Sequence, residues 1–415
     1  MKILITAYAC QPGAGSEPGH GWNYPSGLAK RGHEVHALVP SRWREGVEDE
    51  LRLRPIENLT FHFVGERDWP MRMGWTAGST LRYFLWQWDC ARTAAALDRD
   101  HDFDILHHVS YGTLLGGSFL WRVGKPFVFG PVGGGQTAPP GFAAYFGRFW
   151  PTEALRTFTV KVLWRLDWPA LRAVRVAAVV LASNRETAVL AGRMGARRVE
   201  SMLDVYLPDQ VIPAGPQIRD PHAPIRLLWV GRMLGRKAMR LTVEAVDRVP
   251  NDVPIELEMI GGGPLEDEFR RWLSSAKRTH PVHLRGSLSW QAVHESYDRA
   301  DVFIFTSLRD TVGVQLLEAM AHGLPVITLN HQGAAELVPE AAGIKVAVTS
   351  PEGIAQQVAA AIERLAASAD LRARMGAAGH RRAREFALSE RIVNIEGAYA
   401  TAAAHVERRT AQTDR

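Results

Sequence analysis

Short apolar runs recur along the chain, each closed by a glycine-rich or polar turn and followed by a stretch whose apolar positions repeat with helical spacing. In the first half the runs fall at residues 2–7, 34–39, 105–109, 126–129 and 177–182, and in the second at 225–230, 255–260 and 301–306. Runs of that length read as buried strands, and their alternation with helices predicts parallel sheets of the doubly wound α/β class. Residues 206–224 shift to Pro, Gly, Asp and Gln, the composition of a linker. The pattern therefore predicts an N-terminal Rossmann-like domain over 1–205, a linker over 206–224, a C-terminal Rossmann-like domain over 225–384, and an Ala-rich helical tail over 385–415.

With 415 residues, 46% of them hydrophobic and 22% charged, the chain is globular and too long for one core. A formal charge of +5 favours anionic ligands or anionic lipid and gives no case for nucleic acid. Two cysteines, Cys10 and Cys90, form no disulfide framework, which fits a reducing cytoplasm. The opening run reads as a first buried strand rather than a signal segment, since a Gly-rich loop and a helix follow at once. No run of 18 apolar residues is present to span a bilayer. Residues 142–176 combine eight aromatics with Arg148, Arg156, Lys161, Arg165, Arg172 and Arg175 against only Glu153 and Asp167. Such a segment can lie against an anionic membrane, and can equally cover a domain face or wall a pocket; a cytoplasmic protein is expected, with peripheral contact at the inner face of the membrane as one of these readings.

The chemistry concentrates in residues 307–327. The apolar run 301–306 stops at a polar loop carrying Asp310, and residues 314–321 then read as a helix closed by Gly323 and Pro325. A loop at the carboxyl end of a strand in an open α/β sheet is where ligands bind, and a helix starting at Gly313 and Val314 offers unpaired N–H groups to an anion. Glu318 lies little more than one turn into that helix, so two carboxylates can accept hydrogen bonds from the paired hydroxyls of a ribose or pyranose. After the run 225–230, Arg232, Arg236 and Lys237 follow in a loop of the same kind, where cations can converge on a diphosphate.

Candidates in the first half are weaker in pattern. Gly15 and Ser16 open the first helix without dinucleotide G-x-G-x-x-G spacing. His107 and His108 end a strand, where an imidazole could polarise or deprotonate a hydroxyl, and Gly133, Gly134 and Gly135 form a loop allowing close backbone approach. The Asp-x-Asp pairs of residues 98–104 precede their strand and read as a turn at the edge away from ligand.

The stretch with Asp310 and Glu318 separated by seven residues, followed by Ala-Met-Ala-His-Gly-Leu-Pro-Val, resembles the signature of family 4 glycosyltransferases. That resemblance implies the GT-B fold, two Rossmann-like domains facing across a cleft, with the tail helix returning to the first. It implies a retaining hexosyl- or pentosyltransferase taking a nucleotide diphosphate sugar, with no metal or organic cofactor, to a saccharide or lipid-linked acceptor, in polysaccharide or glycolipid assembly. Asp310 would hold the donor sugar, Glu318 the ribose, and Arg232 with Lys237 the diphosphate; Gly15-Ser16 would face donor phosphate and acceptor. Asp310 stands where the family usually has glutamate, Ser16 and Ala238 where it has glycine, and Val109 where it often has a second histidine. A noncatalytic nucleotide-sugar-binding subunit, or a nucleotide-sugar hydrolase or epimerase on the same fold, is the alternative.

Overall fold

The computed structural model describes residues 1–73, 75–215 and 224–413. Residues 216–223 of the expected linker, and residues 414–415 of the tail, lie outside the described residues. The chain forms two compact units, one of Met1–Gly135, Val160–Asp204 and Leu388–Arg415, the other of Gln136–Thr159 and Val205–Ala387. A single boundary at 205 thus misplaces one segment: residues 136–159 join the second unit. The physical reason is where their apolar side chains are buried, since Ala138, Phe142 and Phe146 complete the core around Trp229, Met239 and Phe269.

The first unit is built on seven parallel strands: β1 (Lys2–Ala7), β2 (Glu34–Pro40), β3 (Leu59–Val64), β4 (Ile105–Ser110), β5 (Phe127–Val132), β6 (Val179–Ala182) and β7 (Val199–Ser201). They lie in the order β3-β2-β1-β4-β5-β6-β7. β4 and β5 are buried at every residue, because helices cover both faces of a doubly wound sheet. The outer strands β3 and β7 are mostly half-buried or exposed, and their broken apolar runs hid them in the sequence.

The second unit has six parallel strands: β8 (Ile225–Val230), β9 (Ile255–Ile260), β10 (Val282–Gly286), β11 (Val302–Phe305), β12 (Val326–Leu329) and β13 (Gly343–Val346), in the order β10-β9-β8-β11-β12-β13. The order reverses between β8 and β11. In an open parallel sheet the loops leaving such a pair diverge to opposite faces and open a crevice at the carboxyl ends. The loops after β8 and β11 are those carrying Arg236, Lys237 and Asp310. In the first unit the same reversal falls between β1 and β4.

Candidate functional site

In the second unit, the loop after β8 closes as a single turn, Gly235–Lys237, before the helix Met239–Val246. Ala238 between them takes a left-handed backbone (φ 48°), the conformation glycine adopts without strain. The turn buries Lys237, 5% exposed, with its ammonium 4.8 Å from the centre of the Phe305 ring. Lys237 Nζ is ion-paired with Asp310, and Arg236 Nη1 reaches the other carboxylate oxygen at 3.2 Å and the Arg309 carbonyl at 3.1 Å. Burial raises the Asp310 carboxyl, but the charges and hydrogen bonds of Lys237 and Arg236 outweigh it and hold the pKa at about 2. Burial lowers the Lys237 ammonium, with Asp310 opposing the shift. Asp310 is thus a permanent carboxylate, fit to accept hydrogen bonds and unfit to donate a proton. Of the three cations expected to converge, Arg236 and Lys237 meet on Asp310, while Arg232 is exposed.

The helix Val314–Ala321 starts at Gly313, which has no side chain to cap it; the Leu316 N–H is taken by the Gly313 carbonyl at 3.1 Å, and the N–H groups before it can face an anion. Gly313 adopts φ +104°, and an added Cβ would meet the Phe305 ring at 2.6 Å. Glu318, one turn in, accepts a hydrogen bond at Oε2 from the buried Tyr297 hydroxyl, 2.9 Å away, leaving Oε1 for ligand hydroxyls. Burial raises its pKa against the lowering effect of that bond. Behind Tyr297 lies His322, stacked on its ring at 5.4 Å and bonded to Asp298 at 2.7 Å and His294 at 2.8 Å. Burial and neighbouring His322 bring His294 down to about 4.

The Asp310 loop is gripped by residues distant in sequence. Glu153 takes Arg309 in a two-pronged ion pair (2.6 and 2.8 Å), Gln136 donates to Thr311 Oγ1 (3.0 Å), and Gln332 accepts from the Asp310 N–H (2.8 Å) while donating to the Thr137 carbonyl (2.9 Å). Arg156 donates to the Gln136 carbonyl at 2.8 Å, and burial takes its pKa down to about 10. Residues 136–159 are therefore the brace of this loop. The expected membrane-facing segment is depleted accordingly: Glu153 and Arg156 turn inward, Phe142 and Phe146 enter the second unit's core, and Trp164 that of the first. Leu155, Phe158, Leu166 and Trp168 remain exposed.

In the first unit, His107 and His108 are not poised for catalysis. His107, fully buried, donates from Nε2 to the Gly130 carbonyl (2.5 Å) and accepts at Nδ1 from Tyr399 (2.7 Å). His108, 1% exposed, donates from Nε2 to the Tyr111 carbonyl (3.1 Å) and accepts at Nδ1 from Thr6 (3.2 Å). Burial lowers both to about 4. With every ring nitrogen satisfied inside the sheet, both are structural, a correction to the role expected from their place at a strand end. The glycine loop is likewise built for protein contacts: Gly133 bonds to Gly112 through its N–H, and at Gly135 a Cβ would strike the Glu186 carbonyl oxygen at 2.5 Å. Gly134 (φ +115°) is the more open of the three.

Gly15 and Ser16 are exposed at the start of the helix Ser16–Lys30, and Ser16 has φ 55°. Beside them lies a polar centre that sequence reading missed. Glu17 accepts from the Gly112 N–H at 2.6 Å, and burial raises its pKa. His20 Nδ1 sits 3.1 Å from Asp204 Oδ1. The available signal was Glu17 and His20 three residues apart, one face of a helix entered directly from β1.

Among solved structures, Anabaena HepE, determined with UDP-glucose, is similar over 96% of this chain and 100% of its own (TM-score 0.59, 14% identity). The sucrose-phosphate synthase from Thermosynechococcus elongatus is similar over 97% and 99% (TM-score 0.65, 16% identity), and WaaG, a glycosyltransferase involved in lipopolysaccharide biosynthesis, over 95% and 99% (TM-score 0.57, 17% identity). The fold is that of the GT-B glycosyltransferases. Residues 224–366 match the family described as Glycosyl transferases group 1. Amylovoran biosynthesis glycosyltransferase AmsK of Erwinia amylovora is 32% identical over 157 residues, 36% of this chain and 38% of that protein. Sulfoquinovosyl transferase SQD2 of Arabidopsis thaliana is 28% identical over 121 residues, 29% of this chain and 22% of that protein. The matched stretches thus span less than two fifths of either relative. Among the described residues, no helix is long and apolar enough to cross a membrane.

Proposed function

We propose that this protein is a glycosyltransferase of family 4 type, moving a sugar with retention from a nucleotide diphosphate donor to a hydroxyl acceptor in polysaccharide or glycolipid assembly. The observation that carries the reading is the juxtaposition, at the strand-order reversal of the second unit, of Arg236 and Lys237 on Asp310 beside the uncapped start of the helix Val314–Ala321. Two cations and one carboxylate leave a net charge of +1, to which Arg232 adds another, against the two negative charges of an esterified diphosphate. Glu318, oriented by Tyr297, would hold the ribose, and Asp310 the sugar hydroxyls. As the glycosidic bond to phosphate breaks, charge grows on the leaving diphosphate, and the fixed ammonium, guanidinium and N–H groups stabilise it without reorganising.

The occupied oxygens and low pKa of Asp310 make it a poor nucleophile, which favours attack on the same face with the leaving phosphate taking the acceptor proton. Gly15, Ser16 and Gly134 are the proposed acceptor-side contacts. HepE, solved with UDP and with UDP-glucose, puts uridine diphosphate sugars first among donors to try. Peripheral contact with anionic membrane would rest on the exposed Leu155, Phe158, Leu166 and Trp168.

The test is a panel of UDP-, GDP-, ADP- and dTDP-sugars with saccharide and lipid-linked acceptors, products read by NMR. A new glycosidic bond of the donor's anomeric configuration is expected. An inverted linkage would remove the retaining mechanism, and release of free sugar at a rate indifferent to every acceptor would replace transfer with hydrolysis.

A further inference from the structure

Three imidazoles and a carboxylate gather at the amino end of β2, the edge opposite the one where strand-to-helix loops emerge. Glu34 and His36, two residues apart, project from one face of the strand. His101 is the last residue of the helix Trp75–His101, and His62 lies on the adjacent β3. Glu34 Oε1 is 3.4 Å from His36 Nε2 and 3.6 Å from His101 Nδ1, and the three groups present ligand atoms within 4.8 Å of one another. Zinc bonds to nitrogen and oxygen of roughly 2.0–2.1 Å place neighbouring ligands of a tetrahedron about 3.3 Å apart. Two edges of the Glu34–His36–His101 triangle are therefore already close to that length.

The surroundings fit the same use. The other nitrogen of His36, Nδ1, is 2.9 Å from His62 Nε2. That contact holds the His36 ring in place in either tautomer; with the proton on Nδ1 and donated to His62, Nε2, the atom facing Glu34, presents its lone pair to an ion, the arrangement by which a neighbour orients a metal-binding imidazole. The His36 side chain is 6% exposed, whereas Glu34 and His101 are 41% and 34% exposed, so an ion can enter and a water can fill a fourth position. His101 ends a helix, where the backbone dipole favours positive charge, and the Lys2 ammonium, donating to the His101 carbonyl at 3.0 Å, is the cation an incoming ion would have to share that end with.

We propose that Glu34, His36 and His101 form a zinc-type divalent metal site, oriented by His62, that pins the end of the helix Trp75–His101 to β2. It lies at the edge of the first unit's sheet opposite the one where the strand-to-helix loops emerge, and takes no part in the proposed transfer chemistry. The ligand set of two imidazoles and one carboxylate suits Zn2+ and its spectroscopic substitute Co2+.

The experiment uses the full chain, stripped of metal, titrated with Zn2+ by calorimetry and with Co2+ by visible absorption, with thermal unfolding followed alongside. Bound ion stabilises the folded state, so Zn2+ should raise the melting temperature. His101→Ala and Glu34→Gln, both at partly exposed side chains, should weaken Zn2+ by at least about 100-fold, and His62→Gln by about 10- to 100-fold. Wild-type Co2+ spectra should show tetrahedral d–d bands that His101→Ala loses. Absence of Zn2+ binding would overturn the proposal, as would an affinity unchanged in both His101→Ala and Glu34→Gln, since the ion would then sit elsewhere.

Discussion

Glu153 and Arg309, 156 residues apart in sequence, meet in a two-pronged ion pair at 2.6 and 2.8 Å, with only 6% of the Glu153 side chain exposed. The pair ties a helix of the 136–159 excursion to the residue preceding Asp310. Breaking a buried pair by removing one partner leaves the other charge desolvated, at a cost of about 3 kcal/mol. Glu153→Ala should therefore lower the denaturant midpoint of the second unit and weaken donor binding. The double variant Glu153→Met, Arg309→Met should recover most of the stability but not the binding. Equal losses in the single and double variants would show that the ion pair is not what holds the loop.

Replacing Asp310 by Asn separates its two proposed tasks. Lys237 and Arg236 lose their compensating charge, so free nucleoside diphosphate should bind as well as before or more tightly. Sugar transfer should fall about 100- to 1,000-fold, the range for removing one preorganised polar contact from a transition state. Calorimetry with UDP beside turnover with the UDP-sugar reads both; a parallel loss of UDP affinity would argue that Asp310 serves mainly to position the cations.

Acid should weaken the sheet of the first unit below about pH 6.5. His107 and His108 have folded-state pKa values of about 4 against an ordinary 6.5, so between those limits the unfolded chain binds more protons. Their contribution to stability is complete above about pH 6.5 and is lost as pH falls toward 4, about 3 kcal/mol for each. Asp310, lowered to about 2 from 3.8, adds a second decline only below about pH 4. Urea midpoints at pH 7.5, 5.5 and 4.5 should fall steadily. A flat profile would mean that these histidines are not buried neutral. Because neither His107 nor His108 is free, their pKa values should leave no inflection near neutrality in kcat/KM.

Gly313→Ala forces an L residue to φ +104° and drives its methyl group to 2.6 Å from the Phe305 ring, the ring on which Lys237 rests. Strain of about 1–3 kcal/mol is expected, with reduced donor affinity from the displaced lysine. Wild-type binding in this variant would show that the helix start tolerates rearrangement.

The loops of the candidate site were legible in sequence because each follows an uninterrupted apolar strand: β8 and β11 lie inside the sheet, and buried strands leave continuous runs. The outer strands β3, β7 and β13 escaped because partial exposure breaks theirs, whereas β12, buried at all four residues, is a short run that went unread beyond Pro325. Asp310 and Glu318 could be named from spacing, but not the Lys237 and Arg236 contacts that set the charge state of Asp310. The brace of Gln136, Glu153 and Gln332 was out of reach, since nothing local in those residues marks a partner more than a hundred positions away. Residues 142–176 were ambiguous for a related reason: aromatic and basic composition looks the same whether the rings enter a core or face lipid. His107 and His108 show the converse limit, because a strand end does not reveal whether a side chain points into the sheet or out of it.

Titration of UDP into wild-type protein and into Lys237→Ala and Arg236→Ala variants addresses the diphosphate grip itself. Each variant should lose at least about tenfold in affinity, the equivalent of one charge-assisted hydrogen bond, and the double variant should bind too weakly to measure. Undiminished UDP affinity in the double variant would place the diphosphate away from the loops after β8 and β11 and contradict the site described here.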